Sequence, residues 1–206
     1  MPAAARLAIC FCLGALVGTL LDGIHVYGDV LSYPDPALGR WAWFVPLEFG
    51  AAGALAGALI PSLEARFGPR ETPRWTPAMR LAELGLLVTA YLATVLLDDA
   101  PAAVALGLLV LLAARLALWG VRGDWVYAAV AAVAGPLAEA VISAAGAFDY
   151  SEPDLAGIPL WLPLLWANGG LFIRRLLAPV VLAPSGRAAA PGRPGRRRRR
   201  SRPGPA

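Results

Sequence analysis

The sequence predicts an all-α protein, a bundle of six transmembrane helices with both termini cytoplasmic and a disordered Arg-rich C-terminal tail. Three observations carry this. Six apolar stretches each reach the roughly 20 residues that a helix rising about 1.5 Å per residue needs to cross about 30 Å of hydrocarbon. The links between them alternate between acidic ones and ones that carry Arg. Of 206 residues, 58% are hydrophobic and 16% charged, a balance that fits one helical bundle and no second folded domain.

Taken in order, the first span covers 7–27. Arg6 precedes it, but the run is too long for the apolar core of a signal peptide, and removing it would leave five spans with the basic tail outside. The link 28–40 is acidic (Asp29, Asp35), with Arg40 at its far end. The second span, 41–60, places Gly50 with Ala54 and Gly53 with Gly57 at small-xxx-small spacing, which lets helix backbones approach closely in lipid. Its following link holds Arg66, Arg70 and Arg74 against Glu64 and Glu71, with Arg80 just inside the third span, 79–97. An acidic turn (Asp98, Asp99) leads to the fourth span, 102–121, and a link with Arg122 and Asp124 to the fifth, 125–148, where Ala131 with Gly135 and Ala134 with Ala138 repeat the small spacing. A last acidic link (Asp149, Glu152, Asp154) precedes the sixth span, 160–182, which carries Arg174 and Arg175. Because orientation follows basic residues more than acids, the Arg placement puts both termini and the second and fourth links in the cytoplasm. Trp41, Trp43, Trp125 and Trp161 fall at span ends, as an interfacial belt requires.

All eighteen basic residues are Arg, and eight of them lie in 187–202; without those the net charge of +4 becomes −4. The basic balance is therefore a property of the tail. Residues 1–182 are expected to form the six-helix domain and 183–206 a disordered Pro/Gly/Arg segment that cannot bury a core. The tail reads either as a topology anchor or as an attraction to anionic lipid headgroups, at about 1 kcal/mol per Arg near the surface. Membrane lipids, other membrane proteins or further copies of the chain are the expected partners, and nucleic acid is not.

Few residues suggest chemistry. Cys10 and Cys12, two apart on a helix, point to different faces and read as small apolar fillers. His25, the single histidine, has Asp22 one turn before it, close enough to hydrogen-bond, but the chain places no further partner beside them for a metal site or a catalytic triad. Glu83 and Arg115 lie near the same end of a tight helical hairpin and are expected to pair across it. Glu48 and Glu139 sit deeper, beside Pro46 and Pro136. A proline inside a membrane helix bends it and frees a carbonyl, so these two acids either line a cavity or hydrogen-bond between helices. No HExxH, GxSxG, Asp-rich metal motif or Cys–His pairing appears, so neither an enzyme nor a metal or other cofactor is expected.

Two blocks of the chain resemble the Insig (insulin-induced gene) family. Residues 42–69, AWFVPLEFGAAGALAGALIPSLEARFGP, look like its second helix and following loop; residues 149–176, DYSEPDLAGIPLWLPLLWANGGLFIRRL, look like its fifth-to-sixth connection and sixth helix. The specific parts are Trp43, Val45-Pro46, Ile60-Pro61, Tyr150 to Pro153 and Asp154, Trp161 with Pro163, and Gly169-Gly170. The resemblance implies six transmembrane helices with cytosolic ends and a non-enzymatic protein that holds a lipid in a central pocket. Eukaryotic members bind oxysterols and retain sterol-sensing partners in the endoplasmic reticulum. Bacterial relatives are lipid-binding homologues, and an Ala- and Arg-rich, Lys-free chain fits that type; the expected location is the bacterial cytoplasmic membrane for a prokaryotic chain and the endoplasmic reticulum membrane for a eukaryotic one. The family also implies a partner-engaging Asp after the fourth helix, for which Asp124 is the nearest acid. Where the eukaryotic fifth helix is rich in Phe and Gln, this chain has Ala, Gly and the segment 136–139.

The leading expectation is thus a protein binding a sterol or diacylglycerol-like lipid, with Phe44, Pro46, Glu48, Pro136, Glu139, Trp166 and Asn168 as candidate pocket residues. A small proton-coupled transporter using Glu48 and Glu139 is the alternative. Many such carriers show an inverted repeat, and none is evident between 1–100 and 101–182.

Overall fold

The computed structural model describes residues 1–69 and 76–183. The basic tail beyond residue 183, and Arg70, Glu71 and Arg74 of the second link, lie outside the described residues. Six helices follow in order: α1 (Ala3–Tyr27), α2 (Val45–Phe67), α3 (Pro77–Leu96), α4 (Pro101–Trp119), α5 (Asp124–Ala144) and α6 (Leu162–Val181). All six are long and apolar enough to span a membrane. Two short strands, β1 (Leu31–Ser32) and β2 (Asp149–Tyr150), lie in the α1–α2 and α5–α6 links and pair antiparallel, closing a lid over one end of the bundle. The start of α1 and the ends of α2, α4 and α6 lie at the opposite end.

Prolines set several helix starts, where a missing N–H costs nothing. Pro77 and Pro101 open α3 and α4, and Thr76 caps α3 by accepting the Met79 N–H at 3.2 Å. Pro46 and Pro163 likewise occupy the first turns of α2 and α6. The bend expected at Pro46 is therefore absent: residues 41–44 belong to the lid, where Leu38 and Trp41 form a bridge, and the helix begins only at Val45. Inside α2 the proline is Pro61, and the helix runs past it to Phe67, with Glu64 on that last stretch bonded to Tyr127 of α5 and Arg174 of α6. Pro136 lies inside α5 as expected.

α6 touches all five other helices and is the most enclosed. The small residues work as packing contacts. Gly53 of α2 meets the α1 backbone at Cys10 and Gly14, Gly57 meets the Cys10 side chain, and Gly135 of α5 lies under Trp166 of α6. Cys10 is buried there and Cys12 is exposed. Trp43 and Trp125 are about two-thirds exposed, as a belt requires, but Trp161 is not a belt residue. It precedes α6 in the core, with its ring against Tyr150 and His25.

The bundle contains an internal repeat: α1–β1–α2 and α5–β2–α6 are two copies of one unit, displaced by 117 residues. Asp29 and Gly146 both take positive φ (59° and 77°), as do Gly39 and Ala156 (66° and 52°). The backbone hydrogen bonds from Val30 to His25 and from Ala147 to Ile142 correspond, as do the bridges Leu38–Trp41 and Leu155–Ile158. The residues before α2 and α6, Phe44 and Trp161, share φ/ψ of −82°/−15° and −76°/−15°. Ser32 pairs with its own counterpart, Asp149, the register that a local two-fold axis between the strands produces. Both copies run in the same direction, so the repeat is parallel rather than inverted, with α3 and α4 inserted between its halves.

Candidate functional site

Two adjoining spaces lie within the bundle. An apolar cleft, with about 660 Å³ of atom-free space, is walled by α1, α2, α3 and α6; Val17, Leu21, Ala52, Leu87, Phe172 and Leu176 are among its sides, and Gly14, Gly53 and Gly169 supply bare backbone. Toward the lid it meets a smaller polar chamber of about 430 Å³, and Phe49, Tyr91, Leu165 and Trp166 line both.

The chamber is built around two carboxylates at equivalent places in the repeat. Tyr33, eleven residues after Asp22, donates its hydroxyl to Asp22 Oδ2 at 3.1 Å. Tyr150, eleven residues after Glu139, donates to Glu139 Oε2. Burial, reinforced by the neighbouring carboxylates, pushes both phenols far above their ordinary range, so each remains a protonated donor. Glu139 receives a second hydrogen bond at 2.6 Å from the Trp166 indole N–H. The counterpart of Trp166 is Phe49, which has no such donor, and the Trp41 indole approaches Asp22 without closing a hydrogen bond. Glu48, in the first turn of α2, faces the same chamber half-buried, and its carboxylate makes no hydrogen bond or ion pair among the described residues.

His25 also lines the chamber but does not pair with Asp22, as its spacing had suggested. Its Nε2 lies 2.8 Å from Thr94 Oγ1, and the Thr94 hydroxyl gives its single proton to the Tyr91 carbonyl at 2.7 Å. Thr94 must then accept from His25, which fixes the tautomer with the proton on Nε2 and leaves Nδ1 as an acceptor.

At the other end of the bundle lies a buried chain of alternating charges. Glu64 of α2 accepts from Arg174 Nε at 2.6 Å; Arg174 also reaches Asp124 of α5; Arg175 joins Asp124 (3.0 Å) to Glu83 of α3; and Glu83 holds Arg115 of α4. Arg115 donates further to the Asn168 carbonyl and side-chain oxygens, each at 2.9 Å, while the Asn168 amide donates to the Leu108 and Leu164 carbonyls. Three acids and three arginines thus tie five helices together, which is how ionised groups persist in a low-dielectric interior. The expected Glu83–Arg115 pair forms. Asp124, the acid nearest to the partner-engaging position that the resemblance implies, is only 1% exposed and belongs to this network, also accepting the Val121 N–H at 3.0 Å.

Of the candidate pocket residues, Glu48, Glu139 and Trp166 line the chamber, and Trp166 also lines the cleft. Phe44 packs on Tyr33 under the lid, Pro46 lies in the first turn of α2, Pro136 is buried within α5, and Asn168 is locked to Arg115; none of the four lines either space. Sequence reasoning missed Asp22, Tyr33, Phe49 and Tyr91. Among the motif residues, Trp43 rests edge-on against Phe44 and Pro61 lies inside α2. Pro153 and Asp154 shape the lid, where the Asp154 carboxylate accepts the Leu160 N–H at 2.9 Å, and Gly170 packs on the Tyr127 carbonyl. Among the described residues no group of three or more His, Cys, Asp and Glu is placed to hold a metal.

No family model matches the chain. It is 28% identical over 177 residues to the insulin-induced gene 1 protein of Gallus gallus, covering 82% of this chain and 69% of that protein. It is 28% identical over 174 residues to that of Danio rerio, covering 80% and 68%. Its fold matches the crystal structure of a mycobacterial Insig homologue from Mycobacterium vanbaalenii with a TM-score of 0.74, at 23% identity, over 87% of this chain and 95% of that one. The chain resembles the Insig family in sequence and shares the fold of its mycobacterial homologue. A cross-linked trimer of the mycobacterial Insig homologue matches equally well. The chain is accordingly an integral, multi-pass membrane protein, and the matched fold is the six-helix bundle described above.

Proposed function

We propose that the chain is a non-enzymatic lipid-binding protein in which one amphiphile of the sterol or diacylglycerol kind lies with its apolar body in the cleft and its polar head in the chamber. The observation that carries this reading is the junction of the two spaces. An apolar slot adjoins a few convergent polar groups, the common design of a small-molecule site. The lipid takes the place of a cofactor. The Arg placement supports an orientation with the end opposite the lid in the cytoplasm.

Gly169 offers a direct test, because a Cβ built there meets nothing within 4 Å although the residue lines the cleft. Gly169→Phe is expected to fill the cleft without disturbing the fold. Native mass spectrometry of gently purified protein should find one lipid per chain in the parent and none in the variant, at similar thermal stability. A lipid-free parent, or an equally loaded variant, would sink the reading. The same spectra report self-association, which the trimer of the mycobacterial relative supports as a proposal for this chain. A proton-coupled carrier remains the alternative, favoured by one observation, a parallel repeat with acids at equivalent places in its two halves, Asp22 and Glu139. It requires pH-dependent solute flux in liposomes.

A further inference from the structure

We propose that the chamber selects the head of its lipid: it takes heads that bring O–H or N–H donors and carry no negative charge, a hydroxyl- or amine-headed amphiphile, and rejects a phosphate-headed one with the same tails. This rests on the lipid reading above and adds the chemistry of recognition.

The argument is a hydrogen-bond inventory of the chamber wall. Three of its donors are already spent on its own carboxylates: Tyr33 on Asp22, and Tyr150 and Trp166 on Glu139. The groups left over are mostly acceptors. His25 is 3% exposed, and its Nδ1 is a bare lone pair with no donor among the described residues. Asp22, itself 6% exposed, accepts only from Tyr33, with the Trp41 indole near but not closing a hydrogen bond, and the Glu48 carboxylate makes no hydrogen bond among the described residues. Against these stands one uncommitted lining hydroxyl, that of Tyr91, and no arginine lines the chamber. A wall of unmatched acceptors is satisfied only by a ligand that supplies hydrogens, and an unpaired anion there would face carboxylates in a poorly hydrated space.

The departures from symmetry give the head a direction. On the second copy Trp166 engages the Glu139 oxygen that Tyr150 leaves; on the first its counterpart Phe49 cannot do the same for Asp22, and Glu48 stands where the second copy has Leu165. The donors of the head therefore point toward Asp22, Glu48 and His25. This polar end governs choice, because a bilayer already offers a lipid tail surroundings as apolar as the cleft.

The test compares three lipids with the same two oleoyl chains: the diacylglycerol, its 3-amino analogue and the phosphatidic acid, each offered to delipidated full-length protein and counted by native mass spectrometry. Binding that survives Gly169→Phe is subtracted as surface binding. The alcohol and the amine are expected to load at one per chain, and the phosphatidic acid about tenfold or more weaker, since its charge goes unpaired. In Glu48→Gln, a half-buried position with no hydrogen bond to lose, the amide introduces N–H donors and should narrow that gap about threefold or more. Equal loading of all three by the parent overturns the selection while leaving lipid binding intact. Failure of all three overturns lipid binding itself. An unaltered preference in Glu48→Gln shows that the discrimination arises elsewhere and overturns the assignment to this chamber.

Discussion

Replacing Glu83 by Leu is expected to cost about 3–5 kcal/mol of stability, the usual penalty for removing one partner of a buried ion pair. Glu83 answers two arginines at once, Arg115 and Arg175, neither more than 1% exposed. With the carboxylate gone, Arg175 keeps Asp124 and Arg115 keeps the oxygens of Asn168, but three positive charges then face two negative ones. Glu83→Gln, which keeps an acceptor oxygen, should lose less. Arg40→Ala breaks the pair with Asp29, whose side chains are 44% and 77% exposed, and should change stability by less than about 1 kcal/mol. Thermal or SDS-driven unfolding in detergent ranks the three. If Glu83→Leu proves no worse than Arg40→Ala, the charge chain is not what joins the helices.

The six spans were legible because a bilayer imposes a length and an apolar composition that a linear reading detects directly. The Glu83–Arg115 pair was legible for a related reason: a tight hairpin fixes the relative depth of two side chains. Contacts made through the third dimension were not. Arg174 and Arg175 counted as markers of orientation, and nothing in their spacing announced that they were buried against Asp124 and Glu83. Asp22 was matched with His25 because they share a helix, whereas its partner, Tyr33, comes from the lid. A signal for that partnership did exist. Tyr33, Pro36, Leu38 and Pro46 recur 117 residues later as Tyr150, Pro153, Leu155 and Pro163, and projecting Asp22 by the same step lands on Glu139. Those few identities lie among the Ala and Leu that any membrane helix contains, and the feature the two copies share is the backbone path of the lid, which appears only in the folded chain.

Gly53→Val should separate α1 from α2 and disturb the site with them. A Cβ at Gly53 would lie 2.5 Å from the Cys10 carbonyl oxygen and 2.9 Å from the Gly14 Cα, so backbone, not a mobile side chain, blocks it. Overpacking typically costs about 1–3 kcal/mol where neighbours can adjust; here one helix must move, so the upper end of that range or beyond is expected. Gly14 and Gly53 both line the cleft, so parting the helices also widens the slot and should speed lipid loss. Gly85→Ala is the matched control: a Cβ there meets nothing within 4 Å, and the better helix former should leave stability unchanged or raised by up to about 1 kcal/mol. Unfolding and lipid retention measured together separate two meanings of these glycines. If Gly53→Val destabilises the fold and sheds lipid while Gly85→Ala does neither, the close α1–α2 crossing shapes the cleft as well as the bundle. If Gly53→Val is tolerated like Gly85→Ala, the two helices can slide apart freely, and the cleft walls must be held by α6 and the charge chain instead.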